Sequence, residues 1–448
     1  MFLSFVAGAA ALHFELLPAQ FLRESFVGLD ALRKHGEEQP EPQDNDTKPG
    51  ITCDKPDQAF NGFTLYTTTQ ESAARLLDMS GNVVYRWSLP FSKAWPNPTH
   101  IRRPLADDKI HWFRTHLYPN GDLLAIYQTT SDTPTGYGLA KLDKNSNLLW
   151  TYAAHAHHDL NVGADGTIYV LTHELHKDKP AGMDYLPTPY LADYLVVLSP
   201  EGKELHKISL LEAFRDSPFA LNLRAMQGKH AEMDIPGAEI PLGQDHPDSG
   251  RTPAYQATSE LGDILHANAV KVLNPALAAK FPQFQPGQVL LSFRKFNLIA
   301  VLDIPKRSIV WSAIGIWKQQ HDPEFVANGN ILLYDNSGGL HGTRVVEFDP
   351  KTNAVPWWYA NEGSTKFHAE FRGMKQYLPN GNILIVDPQG GRLFEVTHGK
   401  ELVWEFGCPR DESIPLNLGH GHHAVITSAF RFAPDQLKFL KEGTRPRP

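Results

Sequence analysis

The chain has 448 residues, 42% hydrophobic and 21% charged, with a formal net charge of −8 at pH 7. Its length and apolar fraction supply a large core, and all-β units of this size often form one domain. Acidic and basic residues are interspersed, which argues against nucleic acid as partner, because phosphate binding needs a concentrated basic face.

Residues 1–34 open with an apolar run from Phe2 to Leu12, too short to span a bilayer alone. Continuing from Phe14 to Leu22 makes a span conceivable but buries His13 and Glu15, and the basic start of a signal peptide is missing. The expectation is a membrane anchor or export signal that places the protein in the periplasm or on a membrane facing it. Residues 35–52, rich in Pro and acidic side chains, read as a tether to a body at 53–448.

Self-similarity is the strongest signal in that body. A unit beginning with His runs through an Asn-Gly or Asp-Gly turn, two apolar strands and a closing aromatic strand. Copies start at His116, His158, His266, His321 and His368, a blade length apart except for one double gap. The alternation bounded by such turns indicates hairpins. A sixth copy is split: residues 63–89 supply its outer strands and residues 422–432, opening with His422 and His423, its inner one. A solenoid or sandwich stays open, but the split copy favours an all-β, six-bladed β-propeller closed by pairing of its two ends, which removes the open sheet edge. The double gap holds an insertion at about 211–262, helical or irregular near 209–226, expected to fold over one channel mouth.

Cys53 and Cys408 lie where such a ring would close, so they read either as a bridge, which requires an oxidising compartment, or as two unpaired thiols. Neither sits in a metal-binding spacing. The innermost strand of each blade lines the channel, so histidines at one repeat position point at one axis. His116 and His368 are the weakest members of that set.

The motifs AHHDL around His158, LHANAV around His266, LSFR ending at Arg294 and KQQHDPEF around His321 resemble the bacterial arylsulfotransferases that do not use PAPS. The resemblance covers roughly residues 60–432 and implies sulfuryl transfer from an aryl sulfate to a phenol, with no cofactor and no metal. It implies His321 as nucleophile, Arg294 as the sulfate-binding cation, His266 and Asn268 as the channel His-x-Asn pair, and His158 as a further channel histidine. Two departures stand out. The spacer NPALAAKFPQFQPG lengthens the interval between the His-x-Asn and Arg294, and a tether stands where the family has a longer N-terminal β-domain.

The chemistry also follows from the residues. Arg294 offers a planar fork to sulfuryl oxygens, neutral His321 can attack sulfur, and His266 and His158 can exchange protons with phenolic oxygen. A rival reading places a metal on His158, His266 and His321 with Asp159 or Asp322, and another makes the ring a binding scaffold. Arg344 and His341 read as hairpin-turn residues that could reach a channel mouth. Trp150, Trp311, Trp358 and Trp404 read as packing between blades, and Trp95, Trp112 and Trp317 as aromatics available to stack an aryl ring.

Overall fold

The computed structural model describes residues 48–101, 103–130, 132, 134–186, 188–224, 262–339, 342–360, 368–409 and 425–440. The expected anchor at 1–34, most of the tether, residues 225–261 of the insertion, His341, His422 and His423 lie outside them.

Twenty-five strands form six antiparallel sheets among the described residues, the blades of a six-bladed propeller. The innermost strands are β5 (His111–Leu117), β9 (Ala156–Val162), β13 (Ala267–Val272), β17 (His321–Phe325), β21 (Met374–Tyr377) and β25 (Ile426–Phe432), each packed against the next around the ring. Second strands such as β14 (Val289–Phe293) and β22 (Ile383–Asp387) are buried at every position. They are covered on both faces by neighbouring blades, so they read as continuous apolar runs. Each fully buried Leu, Ile or Phe in them contributes about 1.5–3 kcal/mol relative to exposure.

The ring closes as the split repeat predicts. β25 pairs with β2 (Phe63–Thr68), Phe63 opposite Phe432, ahead of β3 (Ala73–Leu77) and β4 (Val83–Ser88). A second closure is new: β1 (Gly50–Asp54) adds a fifth strand to the last blade by pairing with β24 (Leu402–Gly407). The sheet therefore begins at Gly50, inside the stretch expected to be tether. A buried ion pair between Arg431 and Glu395 crosses this seam, with the Arg431 guanidinium also 4.1 Å over Trp404.

Cys53 and Cys408 are both free thiols, so the bridge does not form. The β1 register sets Cys53 opposite Glu405 with its sulfur toward the Leu402 carbonyl, while Cys408 is buried beside Tyr66. Tryptophans do tie blades together: Trp404 Nε1 donates to the Met79 carbonyl, and Trp87 Nε1 to that of Gly121. In the fifth blade this role falls to Trp357, which donates to the His398 carbonyl, and neighbouring Trp358 is exposed. The described part of the insertion carries short helices at Leu210–Arg215 and Ala220–Arg224.

Candidate active site

The first hairpins of five blades define a common register. Tyr118, Gly163, Leu273, Val326 and Leu378 each donate their backbone N–H to close the equivalent turn. Five residues earlier stand Phe113, His158, Asn268 and His321 on their inner strands and Gly373 just before β21, and all five line one axial pocket. Thr427 of β25, Arg114, Asp322, Arg372 and Met374 complete its wall. Only His158 and His321 thus share a repeat position. His266 lies two residues before the shared position, His116 three after it and His368 five before it.

Those offsets decide which histidines meet. The rings of His158 and His266 are 5.0 Å apart, and His321 shares the pocket wall with His158 and Asn268. His116 instead packs edge-on against Tyr118 near the outer end of β5, and His368 precedes β21 against Gly342. The apparent histidine repeat is therefore only partly a structural repeat.

Each of the three convergent histidines has its Nδ1 held from behind. His321 Nδ1 lies 2.7 Å from Asn336 Oδ1, His266 Nδ1 pairs with Asp263, and His158 Nδ1 lies 2.7 Å from Nδ1 of His157. The Asn336 amide cannot be reversed cheaply, because its Nδ2 donates to the carbonyls of Ala369 (2.9 Å) and Arg372 (2.6 Å). Its oxygen must face His321, so Nδ1 of His321 carries the proton and Nε2 keeps the lone pair. Burial, then the nearby Arg294 charge, pulls His321 down to about 3, so the ring is neutral at physiological pH. Burial and the imidazoles of His157, His266 and His321 likewise push His158 well below its ordinary value.

Arg294 does not lie on the strand as its sequence suggests; β14 ends at Phe293 and Arg294 opens a 3-10 turn. There its backbone N–H donates to the His266 carbonyl and Nη2 to Gln319 Oε1 at 2.8 Å, two residues before the nucleophile candidate. The Gln-His motif also has a structural role. Gln320 Nε2 donates to Ser292 Oγ, Phe293 O and Leu298 O, and its carbonyl accepts from Asn268 Nδ2 at 2.8 Å, which locks the fourth and fifth blades together. The long spacer before Arg294 is absorbed by a short helix at Pro275–Ala278 in the hairpin between β13 and β14.

Among the described residues, ten non-glycine positions take a positive φ, and five belong to this region: His158, His266, Gln319, Asp322 and Arg372. Such backbone costs free energy and gathers where surrounding contacts over-determine it. At Gly373 a Cβ would meet the Tyr334 ring at 2.2 Å, and its φ is +111°, so no side chain fits.

The pocket floor is a buried ion cluster drawn from five inner strands, with two of its six members on β17. Arg114 pairs with Asp159 at 2.5 Å and Asp322 at 2.7 Å. Lys271 reaches Asp159 at 2.5 Å and Asp322 at 3.1 Å, and Lys375 reaches Asp322 at 3.4 Å and Glu324 at 2.9 Å. Both aspartates are thus committed to cations, and Asp159 also accepts from the backbone of Leu160 and Val270. That removes the carboxylates the metal reading assigned to the channel histidines.

Several aromatics expected near substrate are elsewhere. Trp112 is fully buried in a blade core, Trp95 stacks on Phe91 at 5.0 Å, and Trp317 donates to the Asn297 carbonyl and packs on Phe348. The pocket's aromatic is Phe113, 5.4 Å from the His158 ring, with the Arg372 guanidinium 5.4 Å from the centre of its own ring. Arg344 is consumed by Asp335 at 2.7 Å. Sequence reasoning missed Phe113, Arg114, Asn336, Arg372 and Thr427. Counting back from the hairpin turns finds Phe113, whereas nothing in the repeat marks Asn336.

No curated protein sequence matches this chain. Solved structures resembling it include a Bacteroides caccae protein of unknown function (12% identity, TM-score 0.48, 83% of this chain and 98% of that one). A streptogramin B lyase (11%, 0.40, 85% and 88%) and the β-propeller domain of Cps50 (Swd1) from Myceliophteria thermophila (10%, 0.42, 82% and 88%) are also similar. Likenesses this distant carry no argument about activity. The model of the arylsulfotransferase (ASST) family matches residues 115–408, well over half of the chain, and takes in the four inner strands β9, β13, β17 and β21 in full. The chain belongs to the arylsulfotransferase family and is a sulfotransferase.

Proposed function

We propose that the chain moves a sulfuryl group from an aryl sulfate to a phenol in two steps through a sulfohistidine at His321, without PAPS. The observation that carries this reading is the Asn336 amide, which presents a neutral His321 with its Nε2 lone pair free.

In the first step Nε2 attacks sulfur, the bond between sulfur and the aryl oxygen breaks, and the departing oxygen takes a proton from His158. In the second step the acceptor phenol returns a proton to His158 as its oxygen attacks sulfur, and the sulfur–nitrogen bond breaks. Charge spreads over the equatorial sulfuryl oxygens, so positioned cations and donors dominate the acceleration. Arg294, held by Gln319, supplies the cation beside the pocket, and His266, its Nδ1 paired with Asp263, stands next to His158. Asn268, tied to the Gln320 carbonyl, is held in the pocket wall, and Phe113 offers its ring to the aryl group.

Initial rates with a chromogenic aryl sulfate and a phenol, varied against each other, test the scheme. Parallel double-reciprocal lines, unaffected by chelator or by added PAPS, support it; intersecting lines contradict a covalent intermediate. The apolar residues 2–12 support export to the periplasm or a membrane facing it, which recovery of the protein in an osmotic-shock or membrane fraction checks.

A further inference from the structure

Behind His158 lies a second layer that the scheme above does not use. His157, His173 and Asp193 come from three adjacent strands of one blade, β9, β10 (Ile168–His176) and β11 (Tyr190–Leu198), and all three are buried. The register sets His157 opposite Leu171 and His173 opposite Asp193, which brings the three side chains to one face. His157 and His173 stack at 4.2 Å and 17°, so the His157 ring plane is fixed. Its Nδ1 is 2.7 Å from His158 Nδ1, and its Nε2 lies 3.4 Å from Asp193 Oδ1 with no hydrogen-bond partner of its own. The other carboxylate oxygen of Asp193 is anchored by the backbone N–H of Ala267 at 2.9 Å.

A contact between two Nδ1 atoms at 2.7 Å requires one proton between them. We propose that Asp193 and His157 are positioning residues that store the proton His158 exchanges with phenolic oxygen, so that His158 changes tautomer and never becomes a second cation in the pocket. This rests on the acid–base role given to His158 above.

The bookkeeping of protons closes. Before transfer, His157 is protonated on both nitrogens, Nε2–H toward Asp193 and Nδ1–H toward His158, and His158 carries its proton on Nε2. The departing aryl oxygen takes the Nε2 proton of His158, and the Nδ1 proton of His157 passes to Nδ1 of His158. His157 is then neutral with Nε2–H still facing Asp193, and His158 offers a lone pair at Nε2. The acceptor phenol gives its proton to that nitrogen, and the Nδ1 proton returns to His157. The burial and neighbouring imidazoles that disfavour a charged His158 make this exchange preferable to simple protonation. Ligand atoms of the same three side chains lie within 4.8 Å of one another, near enough for a shared metal, but the ring geometry favours the proton relay. The two rings are face to face, and His173 Nε2 accepts from the Gly136 N–H at 3.4 Å.

The test uses leaving groups of different basicity, since a weak leaving group needs the proton and 4-nitrophenolate does not. First-step rates are measured with phenyl sulfate and 4-nitrophenyl sulfate for the full-length protein and for Asp193→Asn, His157→Phe and His158→Ala. Asp193→Asn keeps an oxygen for the Ala267 N–H, so it tests the relay without removing that anchor. Asp193→Asn and His157→Phe are each expected to lose about a hundredfold more rate with phenyl sulfate than with 4-nitrophenyl sulfate. If His158→Ala discriminates between the donors and the other two variants do not, the relay is overturned and the role of His158 stands. If His158→Ala does not discriminate either, the acid–base reading itself fails. A stoichiometric divalent ion retained by the wild type and lost in Asp193→Asn would also overturn the relay.

Discussion

Asn336 donates from one side-chain nitrogen to the carbonyl of Arg372 at 2.6 Å while its oxygen faces Nδ1 of His321 at 2.7 Å. A single amide thereby fixes the tautomer of the nucleophile candidate and the strained backbone of a pocket arginine. Removing it in Asn336→Ala frees the His321 ring, takes the Asn336 donor from the Arg372 carbonyl and leaves the Ala369 carbonyl with Thr343 Oγ1 at 3.3 Å. Sulfohistidine formation, followed as a stopped-flow burst, is expected to fall on the order of 10²–10⁴-fold, as when a catalytic histidine loses its orienting partner. Stability is expected to drop by about 1–3 kcal/mol for each unsatisfied group, read from urea midpoints. An unchanged burst would remove Asn336 from the site.

His321, held near 3 where a free imidazole titrates at 6.5, stays neutral through mild acid. The rate constant kcat/KM for the aryl sulfate donor is therefore expected to vary less than about threefold between pH 8 and pH 5.5. An ordinary imidazole nucleophile would lose about tenfold over that interval.

The same groups set an acid limit to folding. His111, His158, His173 and His321 all have folded pKa values below the ordinary 6.5, with burial the leading cause. Below about pH 6.5 the unfolded chain binds protons that the folded chain refuses, so stability falls as pH drops from 6.5 toward 3. Melting temperatures measured from pH 7 to pH 4 should decline steadily over that window. A flat profile would show that these rings are not buried neutral.

Phe113, not a tryptophan, shares the pocket with the histidines. Phe113→Ala is expected to raise KM for aryl sulfates about three- to tenfold, the equivalent of an aromatic contact of roughly 0.5–1.5 kcal/mol. Trp317→Phe, which changes a core contact against Phe348, is expected to lower the melting temperature and leave KM alone. Steady-state kinetics on both variants separate the two outcomes.

The pocket floor depends on mutual neutralisation of Arg114, Lys271, Lys375, Asp159, Asp322 and Glu324. Arg114→Leu strands Asp159 and Asp322 with fewer cations, and breaking a buried pair from one side costs about 3–5 kcal/mol. Equilibrium unfolding in urea should show a loss of that size with the slope unchanged.

The fold was legible because each blade carries its own turn chemistry and apolar runs, and because the split repeat at 63–89 and 422–432 favours a closed ring over a solenoid or sandwich. Local motifs named residues that the structure brings near one another: His158 beside His266, His158, Asn268 and His321 on one pocket, and Arg294 bonded to the His266 carbonyl and Gln319 from a turn. Equivalence by first histidine misled at His116 and His368, since a histidine can stand anywhere along an inner strand and the hairpin alone fixes register. The controlling partners were not legible for a different reason. Asn336, Asp263 and Asp193 act through single side chains on second strands, loops and third strands, at positions no repeat marks. The ion cluster draws its six residues from five blades, so no stretch of sequence displays it. Trp95, Trp112 and Trp317 look available only until burial is known.

The central claim is a covalent sulfuryl group on one named nitrogen. Protein mixed with excess 4-nitrophenyl sulfate and no acceptor, quenched at alkaline pH and digested, is to be mapped by mass spectrometry. One added SO3 group is expected on the peptide containing His321, released on adding phenol and absent in His321→Ala. Phenol sulfation proceeding in His321→Ala, or an SO3 group lodged on any other residue, would contradict it.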